Sequence, residues 1–154
     1  MLVFVPLTAK ELAGWAGSGR FVPTPAFAVT ASLRQAFGFT PDDDEDAGHT
    51  ALHIAGLAGL LQHRTRLVVV AETSARAVSA HEFGEFGEVD VGELPWGAVT
   101  ALFGDEASVA SDELRRRLQG LSLATAWDEP DVADFLAEHE LSWHGPEEWP
   151  VLAG

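Results

Sequence analysis

His49 and His53 are four residues apart, a spacing that sets two imidazoles on one face of a helix within reach of a single ion. In the metalloprotease form of this motif a Glu follows the first His and serves as general base. Here Thr50 stands in that place, so the base is missing. Two imidazoles do not complete a centre, and a third ligand must come from elsewhere: Asp44, Glu138 or His144. The metal set read from the sequence is His49, His53 and Asp44. The plainer reading makes the two His, with Gly56 and His63 near them, the one polar stripe on a buried helix.

Two further groups have the residue types for chemistry. Asp42, Asp44 and Asp46 occupy the first three ligand positions of a calcium loop, but Ala47 and His53 stand where Gly and Glu are required. The plain reading is a solvated loop, because like charges at this density repel one another. Near the end of the chain, His139 lies between Glu138 and Glu140, followed by Trp143 and His144. Carboxylates beside an imidazole raise its basicity, and tryptophans wall ligand sites, so His139, Trp143 and His144 form a candidate pocket. Alternatively, Trp143 and Trp149 simply fasten the closing segment to the core.

Absent motifs exclude more. There is no Gly-x-Ser-x-Gly elbow and no phosphate-binding Walker loop. Gly17-Ser18-Gly19 follows a helical pattern instead of a strand, so it is no dinucleotide fingerprint. With no Cys, disulfides, thiolate catalysis and Cys-based zinc sites are all excluded. The single basic run, Arg115-Arg116-Arg117, sits beside Asp112 and Glu113 at the i,i+4 spacing of surface ion pairs.

The elements that must carry these residues follow from periodicity and capping. Leu2–Val5 reads as a buried strand. Thr8 and Glu11 form a capping box, with Leu7 and Leu12 as its hydrophobic staple, opening a helix from Ala9 to about Ala16. Thr30 caps a second helix that ends at Gly38. The acidic run 41–46 is an exposed loop, and a third helix runs from about Gly48 to His63. Its apolar residues cover most of the circumference, which predicts burial. Leu67–Val70 is the clearest strand, central and covered on both faces. Glu88–Leu94 and Ala98–Phe103 follow as strands, then a helix over Asp105–Gln119 and another from Pro130 to about His139. Leu141–Trp143 reads as a last strand and Pro146–Leu152 as a terminal turn or helix. Helices separate the stronger strands, so the expected fold is a single α/β domain: a mixed, mostly parallel sheet of four to five strands with helices packed on it.

Composition agrees with one globular domain of 154 residues, 47% of them hydrophobic. The net charge of −15 argues against nucleic acid and anionic membranes, which need clustered Lys and Arg. Nearly all of it lies in the second half. Residues 1–77 hold 7 acids and 6 bases, whereas residues 78–154 hold 17 acids and 3 bases, a net of −14. No residue stretch reads as a leader or a membrane span, and a cytoplasmic location is expected.

Four segments carry a resemblance: Met1–Pro6, Ala28-Val29-Thr30-Ala31-Ser32-Leu33-Arg34, Arg66–Ala71, and His139-Glu140-Leu141-Ser142-Trp143. In that order they resemble a family of uncharacterised actinobacterial proteins of similar length, which begin Val-Tyr-Val-Pro, contain Ala-Val-Thr-x-x-Leu-Arg and end Glu-Leu-x-Trp. This chain has Phe4 in place of the Tyr and no Tyr at all, so no family tyrosine is needed here. The resemblance implies one cytoplasmic domain and carries no activity with it.

The leading functional reading is therefore a non-catalytic domain acting through a basic protein partner or as a homo-oligomer. Its rival is a metal-dependent, hydrolase-like enzyme built on His49 and His53 with nearby carboxylates, its divalent metal being the only cofactor in view. A third reading is an acidic decoy that mimics DNA, which the clustering of the acids and the 47% hydrophobic content disfavour.

Overall fold

In the first half of the chain, β1 (Leu2–Pro6) leads to α1 (Ala9–Ser18), β2 (Arg20–Phe21), β3 (Ala26–Ala28), α2 (Ala31–Phe37), α3 (Asp44–His63) and β4 (Leu67–Glu72). The second half runs through β5 (Val78–Ala80), β6 (Glu88–Val91), β7 (Leu94–Pro95) and β8 (Val99–Gly104). It then continues as α4 (Asp112–Leu118), α5 (Leu123–Trp127), α6 (Pro130–Glu138), β9 (Ser142–His144) and α7 (Trp149–Ala153). This computed structural model describes residues 1–105 and 109–153.

Local chemistry sets the helix ends. The Glu11 amide donates to Thr8 Oγ1 at 3.1 Å while the Thr8 amide donates to Glu11 Oε1 at 3.0 Å, the reciprocal capping box that the sequence announces. Thr30 accepts from the Leu33 amide at 3.1 Å to open α2. The third helix starts four residues earlier than expected, at Asp44, and takes Asp44, Glu45 and Asp46 into its first turn. Three carboxylates there meet the positive end of the helix dipole, so much of the acidic run is helical, not loop. Asp43 accepts from the Thr40 amide at 2.7 Å and its hydroxyl at 3.0 Å. These bonds, the backbone one first, hold its carboxyl below the usual carboxylate range. The helix expected over Asp105–Gln119 starts only at Asp112, capped by Ser111; its residues 106–108 lie outside the described residues.

The expected mostly parallel sheet of four to five strands is overturned. Among the described residues the main sheet has seven strands in the order β5-β6-β3-β1-β4-β8-β9, and every pairing is antiparallel. A second, two-stranded ribbon pairs β2 with β7. Two physical features explain the difference. First, β3 and β5 have only three residues each, too few for an alternating pattern to register. Second, a continuous apolar run such as Leu67–Ala71 reports that both faces are covered, which is common in parallel sheets but not confined to them.

Both faces are indeed covered. Val3, Val5, Val69 and Ala71 face α1, where Leu12 and Trp15 complete one core. Phe4, Val68 and Val70 point the opposite way, against Leu33 of α2 and Ala51, Ile54 and Ala55 of α3. The far side of α3 is covered in turn: Leu57 and Leu60 join Leu114, Leu118, Val132 and Phe135 from α4 and α6. Helix α3 is thus held between the sheet and a helical layer, which accounts for its almost uniformly apolar surface.

Candidate metal centre

Burial of α3 on two sides leaves one stripe free to carry polar groups, and His49 and His53 lie on it. Their Nε2 atoms face each other at 2.8 Å, with ring centroids 4.3 Å apart in an edge-on arrangement. A hydrogen bond so short accommodates a single proton between the two nitrogens. The third group is Glu140, just beyond the end of α6. Its Oε1 lies 3.8 Å from His49 Nε2 and its Oε2 lies 3.9 Å from His53 Nε2. One atom from each residue falls within 4.8 Å of the other two.

These distances suit a small divalent ion. Tetrahedral ligands about 2.0–2.1 Å from zinc stand about 3.3 Å from one another, between the observed 2.8 Å and 3.8–3.9 Å. Shifts of about half an ångström in exposed side chains bring all three donors onto one sphere. Two imidazoles and one carboxylate are donors for the zinc, copper and nickel class, not for calcium or magnesium.

Burial tunes one of the three residues. His53 is nearly buried, whereas His49 and Glu140 are exposed. Desolvation, reinforced by the neighbouring His49, pushes the His53 imidazole below its ordinary 6.5, against the opposing pull of Glu140. It is therefore neutral at physiological pH, the form that binds metal.

Contacts far apart in sequence bring Glu140 to the two His. Arg66 lies immediately before β4 and its side chain is fully buried. It donates from Nε and Nη2 to the two carboxylate oxygens of Asp105 at 3.0 and 2.6 Å, and from Nη2 to the His139 carbonyl at 2.7 Å. Its guanidinium also lies 4.6 Å from the centre of the Phe135 ring. Arg66 thus fastens the end of α6 one residue before the carboxylate. On α3, Gly56 makes room for this segment: a Cβ there would stand 3.3 Å from Leu141 Cδ1 and 3.6 Å from Arg66 Cδ. Beside the three residues opens a cleft of about 330 Å³, lined also by Trp127, Ala133, Leu136 and Ala137. Trp127 is held edge-on against Phe37 and Phe86.

The sequence-derived residues divide accordingly. His49 and His53 come together. Asp44 does not join them; it pairs with Arg34, five residues upstream of His49 and so about 140° away around the helix. His139, Trp143 and His144 go to different neighbours. His139 packs its ring on Phe135, Trp143 is 62% exposed, and His144 Nδ1 lies 4.0 Å from Glu148. Glu140 itself was visible only as a carboxylate flanking His139. Nothing local ties residue 140 to residue 49, and the packing of Leu141 over Gly56 is what joins them.

A model of a family of unknown function, DUF6912, matches residues 1–153. No curated protein and no solved structure matches the chain. Among the described residues no helix is long and apolar enough to cross a membrane.

Proposed function

Because the chain belongs to DUF6912, a family of unknown function, we propose from its own geometry that it binds a divalent metal of the zinc class. The ligands are His49, His53 and Glu140. The observation that carries this reading is the convergence of both Nε2 atoms and the Glu140 carboxylate on one point beside an open cleft. Three protein ligands with a free fourth position is the pattern of catalytic, exchangeable sites; structural sites close all four. A fourth position would be left for water or for a donor atom of a small ligand entering by the adjoining cleft lined by Trp127. An ion here would supply Lewis acidity and lower the pKa of bound water. That is the extent to which the hydrolase-like reading is supported, since Thr50 occupies the place of the motif's general base.

Calorimetric titration with Zn²⁺ tests the proposal. One ion per chain is expected, with an affinity that falls at least about 100-fold in Glu140→Gln, beyond the 10–100-fold typical of outer-sphere changes. At about 100 times the dissociation constant the ion should stabilise the fold by roughly 2.7 kcal/mol. Stoichiometric binding that survives both His49→Ala and Glu140→Gln would place the ion elsewhere and end this reading, as would no binding at all.

A further inference from the structure

Two acids of the second half, Glu82 and Glu85, flank an exposed aromatic. Between β5 and β6 the chain turns through His81-Glu82-Phe83-Gly84-Glu85-Phe86-Gly87, and Phe83 at its tip is 86% exposed. The turn is fixed by its own backbone bonds: His81 N to Glu88 O at 3.0 Å, Gly84 N to His81 O at 3.2 Å and Gly87 N to Gly84 O at 3.1 Å. Gly87 (φ +82°) anchors the base, where a Cβ would lie 2.2 Å from the Ala28 carbonyl oxygen. Phe83 is therefore an apolar knob between Glu82 and Glu85, carried on a turn whose backbone is already hydrogen-bonded and needs little further ordering.

A complementary feature lies at the other end of the sheet. A cavity of about 230 Å³ has an apolar floor of Leu60, Leu67, Ala110 and Leu152, and its rim includes Arg64 and Arg115. An adjoining depression adds Arg116 and Asp112. Asp105 also lines the cavity, its carboxylate held by Arg66. Of the arginines lining the two depressions, Arg64 and Arg116 are exposed, with Asp112 beside them, while the buried Arg66 is paired with Asp105. Those two exposed arginines form a basic spot on a chain of −15. The cavity falls below the roughly 300–1,000 Å³ of drug-sized ligand sites and is on the scale of a single side chain.

The register places knob and cavity at opposite ends. Gly87 O accepts from Ala28 N, Ala28 faces Val3, and Val3 faces Ala71 at the far end of β4. The cavity lies at the near end, where Leu67 faces Gly104. A molecule so arranged cannot fill its own cavity, but a second copy can. We propose that this chain self-associates head to tail, the Phe83 knob of one copy entering the arginine-rimmed cavity of the next. Glu82 and Glu85 then meet Arg64 and Arg116. Such a contact is heterologous and propagates into open chains or rings, not a closed two-fold dimer. It is independent of the metal centre.

The test is sedimentation at about 0.15 M salt, where a Debye length of about 8 Å screens the long-range repulsion between acidic copies. The wild-type mass should climb with concentration beyond 16.4 kDa without a plateau at the dimer. Phe83→Asp should weaken association about tenfold or more, and so should Arg64→Glu combined with Arg116→Glu. An equimolar mixture of the two variants retains one good knob and one good cavity, and should yield dimers and nothing larger. All these residues are exposed, so unchanged thermal midpoints will show that the variants fold. A wild-type protein that stays monomeric, an oligomer indifferent to both variants, or a mixture that stays monomeric would each overturn the proposal.

Discussion

The candidate metal centre and the Phe83 turn are built by opposite means. At the candidate centre, the three residues depend on an interior: His53 is nearly buried, Arg66 is wholly so, and Glu140 is held through the carbonyl of its neighbour. At the turn, the aromatic has no interior contact and depends on a backbone that hydrogen-bonds to itself. The difference implies that damage should spread differently. Changes around the centre cost stability and function together, whereas changes at the tip of the turn cost function alone.

The sharpest way to break this contrast is Arg66→Met. Its partner Asp105 is largely buried, and removing the guanidinium strands that carboxylate and frees the end of α6. Loss of one member of a buried ion pair costs about 3–5 kcal/mol, and urea denaturation should show a fall in that range. The Zn²⁺ affinity proposed above should fall with it. Retained stability would mean that the centre rests on something other than Arg66.

Next in size is Gly87→Ala, which probes the base of the turn in place of its tip. A methyl at φ +82° would meet the Ala28 carbonyl oxygen at 2.2 Å and Leu33 Cδ1 at 2.9 Å. A strained backbone position of this kind costs on the order of 1–3 kcal/mol, so the thermal midpoint should drop. This effect sharpens the comparison, because it shows the turn to be anchored in the fold even though its apex is not.

The sequence read well where an element is defined by neighbours in the chain. Thr8 with Glu11, Thr30 with Gly38, and the His49–His53 spacing all involve partners within a few turns of each other, and all stand as expected. It failed where partners are distant. The antiparallel sheet joins strands as distant as β3 and β6, Arg66 bonds residues 39 and 73 positions away, and it is Glu140, not Asp44, that lies beside the two His. Asp44 was the natural guess because it is close in sequence, and helix rotation carries it off the stripe. Composition located the acidic half correctly but could not show that one of its members, Phe83, stands free among the carboxylates.

A subtler effect comes from pH. His53 titrates below its ordinary 6.5 in the folded state, chiefly through desolvation. Its unfolded form therefore takes up a proton first as pH falls. The stability associated with neutral His53 is fully present above 6.5 and is lost as pH drops below that value toward the lowered folded pKa. Thermal midpoints measured across this window should decline in the wild type, and the decline should be shallower in His53→Gln. Equal slopes would assign the acid sensitivity to other groups.

The smallest expected effect is the most discriminating. Phe83 and Phe86 are three residues apart on one turn, yet Phe86 contacts Phe37 and Trp127 while Phe83 is 86% exposed. Exposed substitutions away from special backbone positions shift stability by no more than about 0.5 kcal/mol, so Phe83→Ala should unfold at the wild-type denaturant midpoint. Phe86→Ala should not, since it removes one side of the aromatic cluster that steadies Trp127 beside the metal cleft. If Phe83→Ala proved as costly as Phe86→Ala, the ring would have a partner within its own chain. The turn would then be one more piece of the interior, and the contrast between the two regions would collapse.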